Sequence, residues 1–354
     1  MLLREVVRRL CWSFMYWGPQ RDITIDTFNG LLSFDSKDWL IGKYLYVKRS
    51  YEAQAIQSTM TLLRKEGYLA DSGKVLVDVG ANIGMTCIAL VKHGYFEKAI
   101  AFEPAPTSYR LLVQNIRQNH ISDRVCHFPW ALSDKTGTID LELSTDNSGN
   151  HRLRQTTSPG AFREEQRKTV QVAVKTLDDV IAGDPRLSEE SISLVWVDVE
   201  GHEGYFYLGA ERLLKMGPPV VSEFWPYAME RSLISPARYC EIVSELFTHF
   251  YTFAGEQYER RSISEIHTLF DVYKNLEKCV RSFLSGISNK NPVEDLKLDE
   301  SCTLNSKSEI RNWTSTDTST VHFTSSIPTV GLHPTCDRSR RQHCECIVHR
   351  EYFP

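Results

Sequence analysis

The chain has 354 residues, 42% hydrophobic and 24% charged, a composition that buries a full core in one large domain or two small ones. Its formal net charge of -4 gives no general pull toward nucleic acid or anionic membranes. Nine cysteines, an odd count without framework spacing, indicate a reducing, cytoplasmic compartment and not a disulfide scaffold.

The N-terminal stretch "MLLREVVRRLCWSFMYWG" carries a basic flank and an eight-residue apolar run, too short for the roughly 20 residues that span a bilayer. No small-residue cleavage site follows clearly, so no signal peptide is expected. Leu3, Val6, Val7, Leu10, Phe14 and Trp17 fall on one helical stripe, with Arg4 and Arg8 off it. We expect this helix to dock on its own domain; the alternative is a basic helix touching a membrane surface. Next, "ITIDTFNGLLSFD" predicts a hairpin, with Asn29-Gly30 suited to the positive φ of a tight turn. "EAQAIQSTMTLLRKEG" predicts a helix ending at Gly67. Residues 1–70 thus read as an α+β extension or cap.

Residues 71–287 alternate apolar runs with amphipathic segments. The runs are "KVLVDVG", "KAIAFEP", "VCHFPWALS", "ISLVWVDVE" and "PPVVSEFWP". Such alternation implies parallel βαβ units in a doubly wound sheet, and "VLVDV" and "SLVWVDV" are apolar on both faces, as buried parallel strands are. Residues 288–354 include 17 Ser or Thr and lose apolar periodicity, which predicts a disordered tail. In that tail, Cys336, Cys344, Cys346 and His349 lack zinc-site spacing, and Asn312 sits in a glycosylation pattern without a secretory signal.

Ligands of open α/β sheets sit beyond the carboxyl ends of the strands. There the first strand runs into Asp78, Gly80, Asn82 and Gly84, and the second into Glu103, 23 residues past Gly80, where a carboxylate can grip ribose hydroxyls. Gly80 and Gly84 permit a tight turn beside a ligand, and Asn82 tolerates left-handed geometry. A dinucleotide loop needs glycine where Asn82 and Met85 stand, and Asp78 would repel phosphates. S-adenosylmethionine suits the set: a ribose, an amino acid, a positive sulfonium and no phosphate. A dinucleotide oxidoreductase is correspondingly disfavoured.

The fourth strand ends in Asp198, Glu200, His202 and Glu203, and the fifth carries Glu223. Asp198 is placed to face the cofactor or a substrate hydroxyl, and His202 is the residue type suited to take a proton near pH 7. Glu223 would line the acceptor pocket. Glu200 and Glu203 divide between a site role and a helix-start role, and no metal-ligand spacing is present. The polar insertion Ser144 to Lys168, with Arg152, Arg154, Arg163 and Arg167, reads either as a lid over the site or as a solvated loop; its arginines would suit an acidic acceptor.

"VDVGANIGMT", "AFEPAPTSYRLLVQNI", "WALSDKTGTIDLEL", "VQVAVKTLDDVI", "WVDVEGHEGYFYLGAERLL" and "VVSEFWP", in this order, resemble the FkbM-type S-adenosylmethionine-dependent methyltransferases. The resemblance implies a class I, Rossmann-like methyltransferase fold with seven strands, the last antiparallel, and O-methylation of a small hydroxylated acceptor such as a sugar or natural product. It places Asp78, Gly80, Asn82 and Gly84 at the methionine side, Glu103 on the ribose, Ala131 and Leu132 beside adenine, and Asp198 by the methyl group. Asp198, His202 and Glu223 are the proton-acceptor candidates. The family's final strand is not obvious after "HFYTFAG". The rival from another class is a scaffold protein that keeps this fold without turnover.

Overall fold

The computed structural model describes residues 2–69, 74–254, 257–274 and 280–286, all within one compact unit. The expected tail at 288–354, with Asn312, Cys336, Cys344, Cys346 and His349, lies outside the described residues.

In chain order the elements are α1 (Leu2–Trp17), β1 (Asp22–Thr27), β2 (Gly30–Asp35), α2 (Ile41–Lys48), α3 (Ala53–Lys65), β3 (Val75–Val79), α4 (Met85–Lys92), β4 (Lys98–Phe102), α5 (Pro106–Gln118) and β5 (Val125–Phe128). Then come β6 (Ala131–Leu132), β7 (Gly137–Leu143), β8 (Arg152–Leu153), β9 (Lys168–Lys175), α6 (Leu177–Gly183), β10 (Ile192–Val197), α7 (Glu203–Gly209) and α8 (Glu211–Leu214). The chain continues with β11 (Val220–Phe224), α9 (Pro226–Arg231), α10 (Pro236–Leu246), β12 (Phe247–Ala254), β13 (Gln257–Ser262), α11 (Thr268–Val272) and β14 (Val280–Gly286).

The central sheet has the order β13-β12-β14-β11-β10-β3-β4-β5. β5, β4, β3, β10 and β11 are mutually parallel, and β14 lies antiparallel between β11 and β12. This is the class I methyltransferase arrangement, doubly wound and mostly parallel. The antiparallel strand that was not obvious in the sequence is β14, and β13 extends the edge as a hairpin with β12. Strand order reverses between β3 and β10, so the loops after these two strands face one crevice.

The N-terminal elements share the main core. Trp12, Leu32, Phe34, Ile41 and Ile56 belong to one buried cluster with Leu76, Cys87, Leu112 and Trp196. Asn29 and Asn115 cement the join: the Asn29 amide donates to the carbonyls of Tyr51 and Met85, and Asn115 to those of Ser33 and Ile83. The hairpin turn is Phe28-Asn29, one residue earlier than expected, because Thr27 pairs with Gly30. Asn29 is wholly buried and serves these long-range bonds, while Gly30 alone takes the positive φ, +120°.

Helix α1 docks by a different face from the one expected. Trp12 is fully buried, against Phe34 and Tyr46 at ring distances of 6.2 and 5.8 Å, and the Leu3-to-Trp17 stripe points outward. The insertion is not a solvated loop: it adds the short strand β8 to the edge of a second sheet, β6-β9-β7-β8, and it buries Arg152 and Glu164. Cys11, Cys87, Cys126 and Cys240 are free thiols.

Candidate active site

The apolar strand β3 delivers Asp78 buried, 2% exposed, and its Oδ2 accepts the backbone N–H of Cys87 at 3.0 Å in the first turn of α4. A carboxylate there satisfies one of the free amides of a helix start and complements its dipole. Gly80 follows at φ +83°, where a Cβ would stand 1.9 Å from the Asp198 carbonyl oxygen. The glycine is therefore required by the contact between the ends of β3 and β10. At Gly84 (φ +93°) a Cβ would meet the side chains of Ile88 and Leu112 at 2.7 and 2.8 Å.

Asn82 takes the left-handed conformation expected of it, φ +50°, and its backbone N–H donates to Glu103 Oε2 at 2.8 Å. The Ala105 N–H donates to Oε1 at the same distance. A carboxylate has about four lone-pair sites, so both oxygens keep capacity for a ligand's hydroxyls. Burial raises the Glu103 carboxyl to about 7, against the two amide bonds that lower it. The N-terminal layer reaches the same loop: Asp38, capping α2, accepts the Ser148 hydroxyl at 2.5 Å, and that hydroxyl lies 3.4 Å from Asn82 Oδ1.

Across the crevice, Val197 of β10 pairs with Ser222 of β11, so the residues one step on, Asp198 and Glu223, emerge side by side. With Glu200 they form a trio whose carboxylate oxygens lie within 4.8 Å of one another. Glu200 holds φ +55°, a strained conformation for a non-glycine residue. Burial raises its carboxyl, offset in part by Arg152. These three are the described residues placed to hold a cation.

Arg152 approaches the trio from β8. Its guanidinium is 3.3 Å from Glu164 and 3.7 Å from Glu200, donates to Asn150 at 2.8 Å and lies 5.4 Å from the Trp225 ring centre. Tyr227 donates to Glu164 at 2.7 Å, and Phe162 closes an aromatic group with Trp225 and Tyr227. Arg154 pairs with Glu142 at 2.9 Å. Two of the insertion's four arginines are thus neutralised internally.

The remaining expected residues fall elsewhere. His202 is 1% exposed, its Nε2 is 2.8 Å from the Ser133 hydroxyl, and its ring stacks on Tyr205. Burial lowers it to about 4, so it stays neutral near pH 7 and has no exposed nitrogen to receive a substrate proton. Glu203 accepts the N–H groups of Val199 and Gly201 at 3.3 Å each, a bracing role within the loop. Ala131 and Leu132 are both buried but join different clusters, Ala131 with the second sheet and Leu132 with the main sheet. Strand alternation sends their side chains to opposite faces. Arg152 was named in the sequence only among the insertion's arginines, and Glu164, Trp225 and Tyr227 were not singled out; their one sequence signal was the aromatic run just beyond the carboxyl end of β11.

Residues 78–235 match the sequence profile of the Methyltransferase FkbM domain. This segment belongs to the FkbM methyltransferase family. Two curated relatives bear on it: Methyltransferase sdnD of Sordaria araneosa, 32% identical over 151 residues (37% of this chain, 58% of the relative), and 2-O-methyltransferase NoeI of Sinorhizobium fredii, 24% identical over 158 residues (42% and 63%). The chain spans only somewhat over half the length of these relatives. A crystal structure of Methyltransferase FkbM from Methylobacillus flagellatus KT is 14% identical, with a TM-score of 0.38 over 80% of this chain and 59% of that one. The FkbM segment holds every crevice residue from Asp78 to Tyr227, and the N-terminal layer and β12 to β14 lie outside it.

Proposed function

We propose that this FkbM domain binds S-adenosylmethionine and transfers its methyl group to a hydroxyl of a sugar or other small molecule. The observation that carries the reading is the carboxylate trio Asp198, Glu200 and Glu223, within 4.8 Å, beside the Gly80–Gly84 loop. Phosphate groups would meet repulsion there, whereas a cationic sulfur and ammonium meet attraction. Bound in the crevice, the cofactor supplies a methyl on a sulfur that leaves as a neutral thioether. Glu103 holds the ribose hydroxyls, and the Gly80–Gly84 loop carries the methionine end.

Asp198 accepts the hydroxyl proton as the oxygen–carbon bond forms, and Glu223 beside it orients the hydroxyl. The name of one relative, a 2-O-methyltransferase, supports oxygen as the acceptor atom. The test is isotope-labelled S-adenosylmethionine with a panel of hydroxylated acceptors, sugars first. Label should enter one acceptor class as a single methyl group, and Asp198→Asn should lower the rate by about 10²–10⁴-fold while cofactor binding persists. Absence of S-adenosylmethionine binding by titration would favour a scaffold role instead, and full activity in Asp198→Asn would remove Asp198 as the base.

A further inference from the structure

Helix α1 exposes six large apolar side chains: Leu3 (77%), Val6 (48%), Val7 (51%), Leu10 (61%), Phe14 (83%) and Trp17 (81%). At helical spacing they share an arc of about 100°. The face is fixed outward. Trp12, on the far side, is fully buried, Glu5 pairs with Lys48 at 2.9 Å, and Arg8 donates to the Val47 carbonyl at 3.0 Å. Turning the stripe inward would extract Trp12 and break both polar ties.

We infer that this face lies on an anionic lipid surface, the helix parallel to the bilayer. Charge complementarity selects the occupant. Exposed Arg4 and Arg9 border the stripe on its two sides, and the helix's one acidic residue, Glu5, is turned away to Lys48. A second copy of the chain docked through the same face would bring these arginines against their own counterparts. The aromatic end agrees: Trp17 and Trp39 both contact Tyr16, at 5.4 and 4.8 Å between ring centres, and Trp39 is 38% exposed. Such rings settle at headgroup depth. Lys37 donates to the Gly18 carbonyl at 2.6 Å and to that of Tyr16, closing the helix end with a cation. No described helix is long and apolar enough to cross a membrane, so the contact is a surface one, held by one helix and reversible.

The test is flotation of the full chain with phosphatidylcholine vesicles, with and without one-third phosphatidylserine, at about 0.1 M salt. Partition to the serine-lipid vesicles, weakened about tenfold by removing the anionic lipid or raising the salt, supports the inference. So does loss of flotation in Phe14→Ser/Trp17→Ser with the melting temperature unchanged, since both side chains are more than four-fifths exposed. Three results overturn it: no flotation with anionic vesicles, equal flotation of the double variant, or a dimer in light scattering that the double variant dissolves.

Discussion

Arg152 and Glu200 face each other at 3.7 Å between the second sheet and the end of β10, and Glu164 holds the other side of the guanidinium at 3.3 Å. The side chains are 3%, 13% and 0% exposed, so neither acid has water to fall back on. Arg152→Met should therefore cost about 3–5 kcal/mol, the range for removing one partner of a buried pair. Urea unfolding measures it. Adding Glu164→Gln should recover part of the loss, and a single variant as stable as the wild type would show the pair is not structural.

Gly80 and Gly67 show two different reasons for a loop glycine. A Cβ there meets backbone at 1.9 Å, whereas one at Gly67 (φ +73°) meets nothing within 4 Å. Gly67→Ala should cost only the left-handed strain, about 1–2 kcal/mol. Gly80→Ala should prevent β3 and β10 from closing, seen as insoluble protein or a collapsed thermal transition. Equal melting temperatures for the two variants would refute the contact.

His202 gives a pH test. Its folded value, about 4, lies below its ordinary 6.5, so the unfolded chain binds the extra proton between these limits. The His202 contribution is then complete above pH 6.5 and is lost as pH falls toward 4, by roughly 3 kcal/mol. The stability gap between wild type and His202→Gln should shrink over that window. Glu103 and Glu203, each raised to about 7, act in the opposite sense, losing stability as pH rises from 4.5, so the difference between the two proteins, and not the wild-type curve, isolates His202. Denaturant midpoints across pH 4–7.5 would decide it, and a constant gap would mean that His202 is solvated.

Asn115 links the N-terminal hairpin to the Gly80–Gly84 loop. Wholly buried, it accepts the Ser33 N–H at 2.7 Å and donates to the Ile83 carbonyl at 2.8 Å. Asn115→Leu strands both groups, which should cost about 2–4 kcal/mol. Because Ile83 lies within the Gly80–Gly84 loop, S-adenosylmethionine binding should weaken as well. Calorimetric titration at matched folded fraction separates the effects, and unchanged affinity would confine Asn115 to stability.

Much of the central sheet was legible in the sequence because β3, β4, β10 and β11 are buried on both faces and so read as unbroken apolar runs. Asn82 was legible too, since left-handed geometry favours few residue types. The second sheet was not. Its edge strand β8 carries Arg152, which meets Glu164 twelve residues away and Glu200 forty-eight away, and charged residues that pair only in the folded chain look like a solvated loop. His202 was named by residue type, which does not show burial: the fold packs its ring, 1% exposed, against Ser133 and Tyr205. For α1, spacing marked the stripe correctly, but it could not show that Trp12 on the far side was the anchor.

The position of β14 has a consequence for synthesis. β11 ends at Phe224, yet the strand that covers its edge begins at Val280. At roughly 5–20 residues per second, the ribosome holds "VVSEF" with an open backbone ladder for several seconds before its neighbour exists. An apolar open edge of that kind recruits other strands. Nascent chains halted between these two strands should depend on chaperones far more than those released after Gly286, so slow codons placed in that interval would lower the yield of folded protein.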